Sequence, residues 1–398
     1  MEVSSLRFDL CTNVVSCHTA GQLKGKPRGF ASKQQTTLLT HLRPLTSPRY
    51  NPFALENAKD LTAFIQPPTP DPCCPSKPLL RVISNKFPAL KGSLSNARMH
   101  TLHAGTAANM IACGFQEVCI SHWSWRSCQA LMTREQMILL WETLRTRCVV
   151  NCAKENAVYV QVMENHGVRS GASLPHPHSQ ILALPFVPPD QMSRLQIAAS
   201  WHQTHNARNI FDHVMDGARD DNRVLLETQH AIAFVPYAQN RSYEIWVVSK
   251  TSPDMRDEEY MDEMADMIRK CLLMLYCHLD DPDYNSIVRQ STESLSFQTA
   301  SPAKDWYRWH VVITQHGKRS RWAGIKGYGD FVPVNGTPEE HAEQLREHSE
   351  VCSPLQLSAT EKETSTLRVS SDIKQGRIIA AGFGVVMLAC ELVLSLLQ

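Results

Sequence analysis

The chain carries almost no net charge. Its 40 lysines and arginines stand against 39 aspartates and glutamates, leaving +1 over 398 residues with histidine neutral. Without a basic excess there is no electrostatic footprint for nucleic acid, and without an acidic block there is no solvating tail. The charged-then-apolar run of a secretory signal is also missing at the start. The 13 scattered cysteines, odd in number, are therefore read as thiols of a reduced, cytoplasmic compartment and not as a disulfide framework. Apolar residues at 43% and charged ones at 20% are the ordinary balance of a globular protein. The length suffices for one large domain or two of common size.

The two ends differ in composition from the rest. Residues 1–50 hold seven Lys/Arg against two acids and are rich in Ser and Thr. Residues 1–48 are thus set apart as an N-terminal extension, either an organelle transit peptide or a disordered segment. A Ser/Thr-rich linker, 351–376, precedes an apolar tail, 377–398. From Ile378 to Leu397 the tail has about the length that crosses a bilayer, with Lys374 and Arg377 ahead of it as at a cytosolic membrane edge. It reads as a tail anchor that attaches the protein to a membrane. Glu391, costly in lipid, supports the other reading, a peripheral helix.

Between the ends one pattern occurs twice. Gln116-Glu117-Val118-Cys119-Ile120-Ser121 is strand-like. A helix follows in which Thr133 and Gln136 have capping-box spacing and Met137, Leu140, Trp141 and Leu144 share a face. Ala157-Val158-Tyr159-Val160-Gln161-Val162-Met163 alternates as a strand, a glycine-containing loop follows, and Ile181-Leu182-Ala183-Leu184 is a further strand. The second copy runs from the strand 243–248 through a helix beginning at about Asp257, with Met261, Met264, Ala265, Ile268, Leu272 and Leu275 on one stripe. Strands at 284–289 and 306–313 close it. The pattern predicts a duplicated α+β domain, one copy in 49–190 and the other in 191–350.

The first copy holds the run His176-Pro177-His178-Ser179-Gln180. Two histidines one residue apart on a strand point the same way, which suits a metal site or merely an exposed polar face. The surroundings favour chemistry. Gly167-Val168-Arg169-Ser170-Gly171-Ala172-Ser173 lies just upstream, where glycines and hydroxyls bring backbone N–H groups near phosphate oxygens. Gln180 falls on the face of His178 and can donate to a phosphoryl oxygen as charge builds. A neutral imidazole attacks phosphorus, and the phosphoramidate it forms is labile enough to pass its group on.

These residues resemble a known family. Glu164-Asn165-His166-Gly167, with Gly171-Ala172-Ser173-Leu174-Pro175 and the His-Pro-His-Ser-Gln run, is similar to the active-site signature of the galactose-1-phosphate uridylyltransferase family of the histidine-triad superfamily. Arg49-Tyr50-Asn51-Pro52, Asp71-Pro72 with Cys74-Pro75, the segment 81–90, Val235-Pro236-Tyr237, Glu244-Ile245-Trp246 and the stretch around Asn335 also resemble it, so coverage runs from about 49 to about 347. The resemblance implies two histidine-triad-like domains, antiparallel sheets with helices packed on them, and a homodimer.

The resemblance also implies roles. His178 would attack the α-phosphorus of UDP-glucose, and galactose 1-phosphate would then take UMP from it. Gln180, Asn165, Gly171 and Ser173 match positions that hold phosphates, and Asn85 matches a nucleoside contact. No organic cofactor is implied. His176 matches a zinc ligand, and Cys73, Cys74 and His122 are the residues nearest the remaining ligand positions. The fit departs from the pattern there. Cys73 and Cys74 are adjacent where the family has Cys-x-x-Cys, and Trp125 stands at the distant histidine position. Arg308 replaces one histidine of a His-x-His in the second half, leaving His310. The family's phosphate-clamping arginine segment is not recognisable, and Ile325-Lys326 replace an aromatic–Glu sugar contact.

Three functions follow. The first is UDP-glucose–hexose-1-phosphate uridylyltransferase, with a nucleotide sugar and a sugar 1-phosphate as substrates. The second is an ADP-glucose phosphorylase-like enzyme, suggested by Gly171-Ala172-Ser173, Ser179 and Asn85-Lys86, although Pro177 is the uridylyltransferase form. The third is a catalytically weak, membrane-tethered nucleotide-sugar-binding homologue, suggested by the altered ligands and the apolar tail.

Overall fold

A computed structural model describes residues 5–9, 14–18, 53, 61–65, 79–102, 107–122, 127–154, 157–292, 301–316 and 334–349. The chain divides into units 1–349 and 350–398, and every described residue lies in the first. The expected linker and apolar tail lie outside the described residues. No helix among the described residues is long and apolar enough to cross a membrane.

The elements in chain order are β1 (Ser5–Asp9), β2 (Val14–His18), β3 (Leu61–Ile65), β4 (Leu80–Ser84), β5 (His100–Leu102), β6 (Ala107–Ile111), β7 (Phe115–Ile120), α1 (Arg134–Cys152), β8 (Tyr159–His166), β9 (His178–Leu184), α2 (Pro189–Thr204), α3 (Ile210–Asp220), β10 (Val224–Glu227), β11 (Ala231–Phe234), β12 (Ile245–Ser249), α4 (Met261–Leu279), β13 (Asp283–Arg289), β14 (His310–His316) and α5 (Pro338–Arg346). A four-stranded sheet has the order β2-β1-β6-β5, so two strands from the segment expected to be an extension pair into it. The main sheet has ten antiparallel strands in the order β10-β11-β12-β14-β13-β8-β9-β7-β4-β3.

The duplication is visible in that order. β7, α1, β8 and β9 follow one another in the first half as β12, α4, β13 and β14 do in the second. Each half orders its strands the same way outward from the centre, and β8 pairs with β13 to make one continuous sheet. His178 opens β9 and His310 opens β14, so the two residues occupy equivalent places.

Strand parity decides which side each residue faces. Val160, Val162, Ile181, Ala183, Ile245, Val247, Val311 and Ile313 join the core beneath α1 and α4. Tyr159, Leu184, Ile232, Phe234 and Val248 join a second core beneath α2 and α3. His178, Gln180, Asn165, Asn285 and His310 share the parity of the second side.

The helices begin where side chains satisfy their first N–H groups. For α1 the expected capping box is present: the Thr133 hydroxyl accepts from Gln136 N–H at 3.3 Å, and Gln136 Oε1 accepts from Thr133 N–H at 3.0 Å. Helix α4 begins at Met261, later than the sequence pattern suggests. The Asp254 carboxylate takes the Arg256 N–H at 2.8 Å and Glu258 takes the Tyr260 N–H at 2.9 Å, holding 255–257 as a short 3-10 turn ahead of the helix.

Candidate functional site

His178 opens β9 and is 5% exposed. Its Nδ1–H donates to the carbonyl of His176 at 2.7 Å. That bond fixes the tautomer and leaves the lone pair on Nε2. Burial pushes the His178 imidazole below its usual range, opposed by the bond to the carbonyl. The ring is therefore a neutral nucleophile at neutral pH, with an acceptor already in place for the proton on its far nitrogen. The Phe53 ring packs edge-on against it at 5.0 Å, and the Phe53 carbonyl accepts from the guanidinium of buried Arg81. Arg81 stands opposite Ile120, which stands opposite His178, so a buried cation lies on the histidine side of the sheet. In the sequence Arg81 is marked only as part of the family-like segment 81–90.

The expected phosphate-binding residues gather around this ring. Gln180 follows His178 on the same side of β9. β8 and β9 pair Glu164 with Ser179, and one further step along that register sets Asn165 opposite His178. Asn165 Oδ1 accepts from Asn285 Nδ2 at 2.6 Å, and Asn285 Nδ2 also donates to the Ser170 carbonyl at 2.9 Å. The Ser170 carbonyl can only accept, so the Asn285 group touching it must be its NH2. It follows that Asn165 turns its oxygen to Asn285 and keeps its own NH2 for the site. His316 closes this network on Asn285 Oδ1.

Asn285 and His316 were missed in the sequence because they belong to the other half of the chain and carry no motif. Replacing Asn285 by leucine should leave the fold intact and slow nucleotidyl transfer on the order of 10–100-fold, the effect of about two lost hydrogen bonds. Single-turnover labelling of the purified variant would check this.

The glycine loop is built on backbone geometry. Gly171 has φ 88° and caps a short 3-10 turn, Val168–Ser170. A Cβ there would meet nothing within 4 Å, so the left-handed backbone and not crowding is what asks for glycine. Gly167 has φ 81°, and a Cβ there would also strike the Asp283 carboxylate. Asp283 in turn accepts from the Arg169 N–H and pairs with the Arg169 side chain at 3.3 Å. Ser173 is exposed in the stretch leading to His176. Asn85 follows β4, its Oδ1 accepting from the Phe87 N–H at 2.9 Å and its own N–H donating to the Gln116 carbonyl at 2.9 Å. That leaves the Asn85 NH2 available to a ligand.

The expected zinc set is not assembled among the described residues. His176 is 1% exposed, and its Nε2–H donates to the backbone carbonyl of His122 at 2.7 Å. This hydrogen bond commits His176 Nε2 to a backbone carbonyl. Burial pushes His176 down to about 4. Cys73 and Cys74 lie outside the described residues. Among the described residues no three His, Cys, Asp or Glu side chains form a group that could hold a metal ion.

The second half repeats the geometry without the opening. His310 Nδ1–H donates to the carbonyl two residues earlier, that of Arg308, at 3.0 Å. Its ring lies within 5.1 Å of Phe211, 5.0 Å of Trp246 and 6.1 Å of Tyr307. It is 1% exposed, burial pushes it down to about 3, and its Nε2 has no hydrogen-bond partner among the described residues. Duplication made two histidines of one pose, and aromatic packing closed one of them.

Comparison with known proteins agrees with this geometry. Residues 96–278 match a family described as a domain of unknown function, DUF4921. ADP-glucose phosphorylase of Arabidopsis thaliana is 24% identical over 86% of this chain and 93% of its own. Galactose-1-phosphate uridylyltransferase of Thermotoga maritima is 28% identical over 48% of this chain and 60% of its own, so that match spans less than two thirds of the relative. A solved uridylyltransferase shares the fold, with a TM-score of 0.65, 18% identity, and coverage of 88% of this chain and 99% of the other. With the duplicated sheet, the histidine opening β9 and these likenesses together, the chain has the fold of the galactose-1-phosphate uridylyltransferase-like nucleotidyltransferases and is similar to them in sequence.

Proposed function

We propose that this chain transfers a nucleoside monophosphate from a nucleoside diphosphate sugar through a covalent intermediate on His178. The observation that carries this reading is the His178 Nδ1–H bond to the His176 carbonyl, which leaves Nε2 as the reactive nitrogen in a ring that burial keeps neutral. Nε2 donates its electron pair to the α-phosphorus. The bond from that phosphorus to the bridging oxygen breaks, and the sugar 1-phosphate leaves with the pair. The ring then carries a positive charge, which the His176 carbonyl stabilises through Nδ1–H. The amides of Gln180 and Asn165 donate to the equatorial oxygens as their charge rises. In the second step an acceptor oxygen attacks phosphorus, the N–P bond breaks, and Nε2 recovers its pair.

The donor we favour is ADP-glucose with inorganic phosphate as acceptor. The ADP-glucose phosphorylase relative aligns along 93% of its length, against 60% for the uridylyltransferase. Gly171-Ala172-Ser173 and Ser179 support the same choice. The second reading, UDP-glucose with a hexose 1-phosphate acceptor, is favoured by Pro177 between the two histidines. We also propose a homodimer, one domain in each half of the chain, and a cytoplasmic setting, with an organelle or a tail-anchored membrane site as the alternatives.

The test is to mix the full chain with ADP-glucose or UDP-glucose labelled at the α-phosphate and to follow acid-labile label on the protein. AMP label that phosphate removes as ADP supports the first donor. UMP label that a hexose 1-phosphate removes supports the second. A folded protein that takes neither would reject the transferase reading.

A further inference from the structure

We infer that Gln116 is a positioning residue that sets which end of the Gln180 amide faces the phosphates, and that it wires this choice to the loop carrying Asn85. The inference rests on the nucleotidyl-transfer reading for its consequence, but its geometry stands apart from it.

One group in this network has no ambiguity. A backbone N–H can only donate, and the Ala89 N–H lies 2.9 Å from the end of the Gln116 side chain. The atom it touches is therefore Oε1. The other end of Gln116 must then be NH2, and it lies 2.9 Å from the end of the Gln180 side chain. That atom of Gln180 is consequently its oxygen. What Gln180 has left is its own NH2, which makes no hydrogen bond among the described residues, on the same side of β9 as His178. Three groups in series leave a donor, and not an acceptor, for a phosphoryl oxygen. A reversed series would turn an oxygen toward the phosphates and repel them.

The first member of the series belongs to the nucleoside loop. Asn85 N–H donates to the Gln116 carbonyl at 2.9 Å, so the backbone and the side chain of Gln116 both hold segment 85–89. A nucleoside that steadies this loop also steadies the Ala89 N–H, and through it the polarity of Gln180. In the sequence Gln116 looked like an ordinary strand residue. Its role depends on β7 lying between β4 and β9, which only the sheet order supplies.

The decisive variant is Gln116→Glu. It keeps the shape and can still accept from Ala89, but its carboxylate has no proton for Gln180. Gln180 must then turn its NH2 into the carboxylate and present its oxygen to the site. The rate of His178 labelling should fall on the order of 30–100-fold at pH 8, with KM moving less than about threefold. Measured against wild type at the same pH, the rate should recover as pH falls through the carboxyl range, because the protonated acid donates again. Gln116→Leu should lose rate without that recovery. Adding Gln116→Glu to Gln180→Leu should cost no more than about threefold further, since both act on one contact.

A loss that is equal at every pH and additive with Gln180→Leu would overturn the inference, as would a wild-type rate in Gln116→Glu. Side-chain amide exchange, read by NMR of 15N-glutamine-labelled protein, separates this from failure of the transferase reading. In wild type the Gln116 NH2 should be protected and that of Gln180 exchange with water. In Gln116→Glu the Gln180 NH2 should become protected. The opposite pattern rejects the assigned polarity whether or not either sugar nucleotide is a substrate.

Discussion

The His178→Gln variant should keep the fold and lose covalent labelling by on the order of 10⁴-fold or more, the scale of removing a nucleophile from a site left otherwise intact. Glutamine is close in size to imidazole and its amide can still donate to the His176 carbonyl, so the start of β9 should hold. What it lacks is a nitrogen lone pair able to attack phosphorus. His310→Gln, the equivalent change in the second half, should leave labelling nearly unaltered, because that ring is enclosed by Phe211, Tyr307 and Trp246. The pair of variants thus distinguishes a nucleophile from a structural imidazole of the same pose. In wild type the rate should stay level as pH falls to the ordinary imidazole value of 6.5 and drop only below it, since burial lowers the His178 pKa. Full label on His178→Gln, at wild-type speed, would remove His178 from the mechanism.

A second large effect concerns Glu164. Parity turns it away from Asn165 and into the core beneath α1 and α4, where it is 3% exposed. The Tyr284 hydroxyl and the His166 ring lie near, yet neither carboxyl oxygen makes a hydrogen bond of normal geometry among the described residues. Burial pushes the carboxyl up to about 7, against the opposing influence of His166 and Tyr284. The folded state therefore holds a proton that the unfolded chain releases at about 4.5. A raised carboxyl gives stability that is complete below the unfolded pKa and is lost as pH rises through the folded one. Between pH 4.5 and about 7 wild type should lose about 3 kcal/mol on this account, at about 1.4 kcal/mol per unit.

The Glu164→Gln variant has no such charge to bury. Its stability relative to wild type should rise by about that amount from pH 4.5 to pH 8, whatever its offset at the acid end. Urea unfolding of both proteins at the two pH values would show it. A difference that does not change with pH would mean that Glu164 is not held protonated by its surroundings. Comparing the two proteins at each pH cancels the buried histidines, whose lowered pKa values act in the opposite direction. His176 and His310 take no proton when folded until about 4 and about 3, so each destabilises the fold as pH falls below 6.5.

Much of the architecture was legible because it rests on local periodicity. The alternation in 157–163 and the capping box at Thr133 belong to residues a few positions apart, and both appear in the structure. The stretch from 189 to 234 carried no motif, and α2, α3, β10 and β11 within it were not anticipated. Their apolar faces are completed only by the second side of the sheet. The Glu164-Asn165 pair shows the same divide at the scale of two residues. As sequence it is one motif, but strand parity sends Asn165 to the site and Glu164 to the opposite core.

The sequence by itself determined the chemistry of His178. The residue two before it supplies the carbonyl and the residue two after it supplies the amide, so spacing along one strand is enough. It also determined the glycine of the phosphate loop, since a left-handed backbone at Gly171 is a local demand. The tertiary structure alone decided how those groups are aimed. Gln116 and Asn285 reach Gln180 and Asn165 from 64 and 120 residues away, and they set the direction of both amides through hydrogen bonds between strands. An amide has the same composition whichever way it is turned. Its direction is fixed by its neighbours in space, and that information enters only when the sheet is assembled.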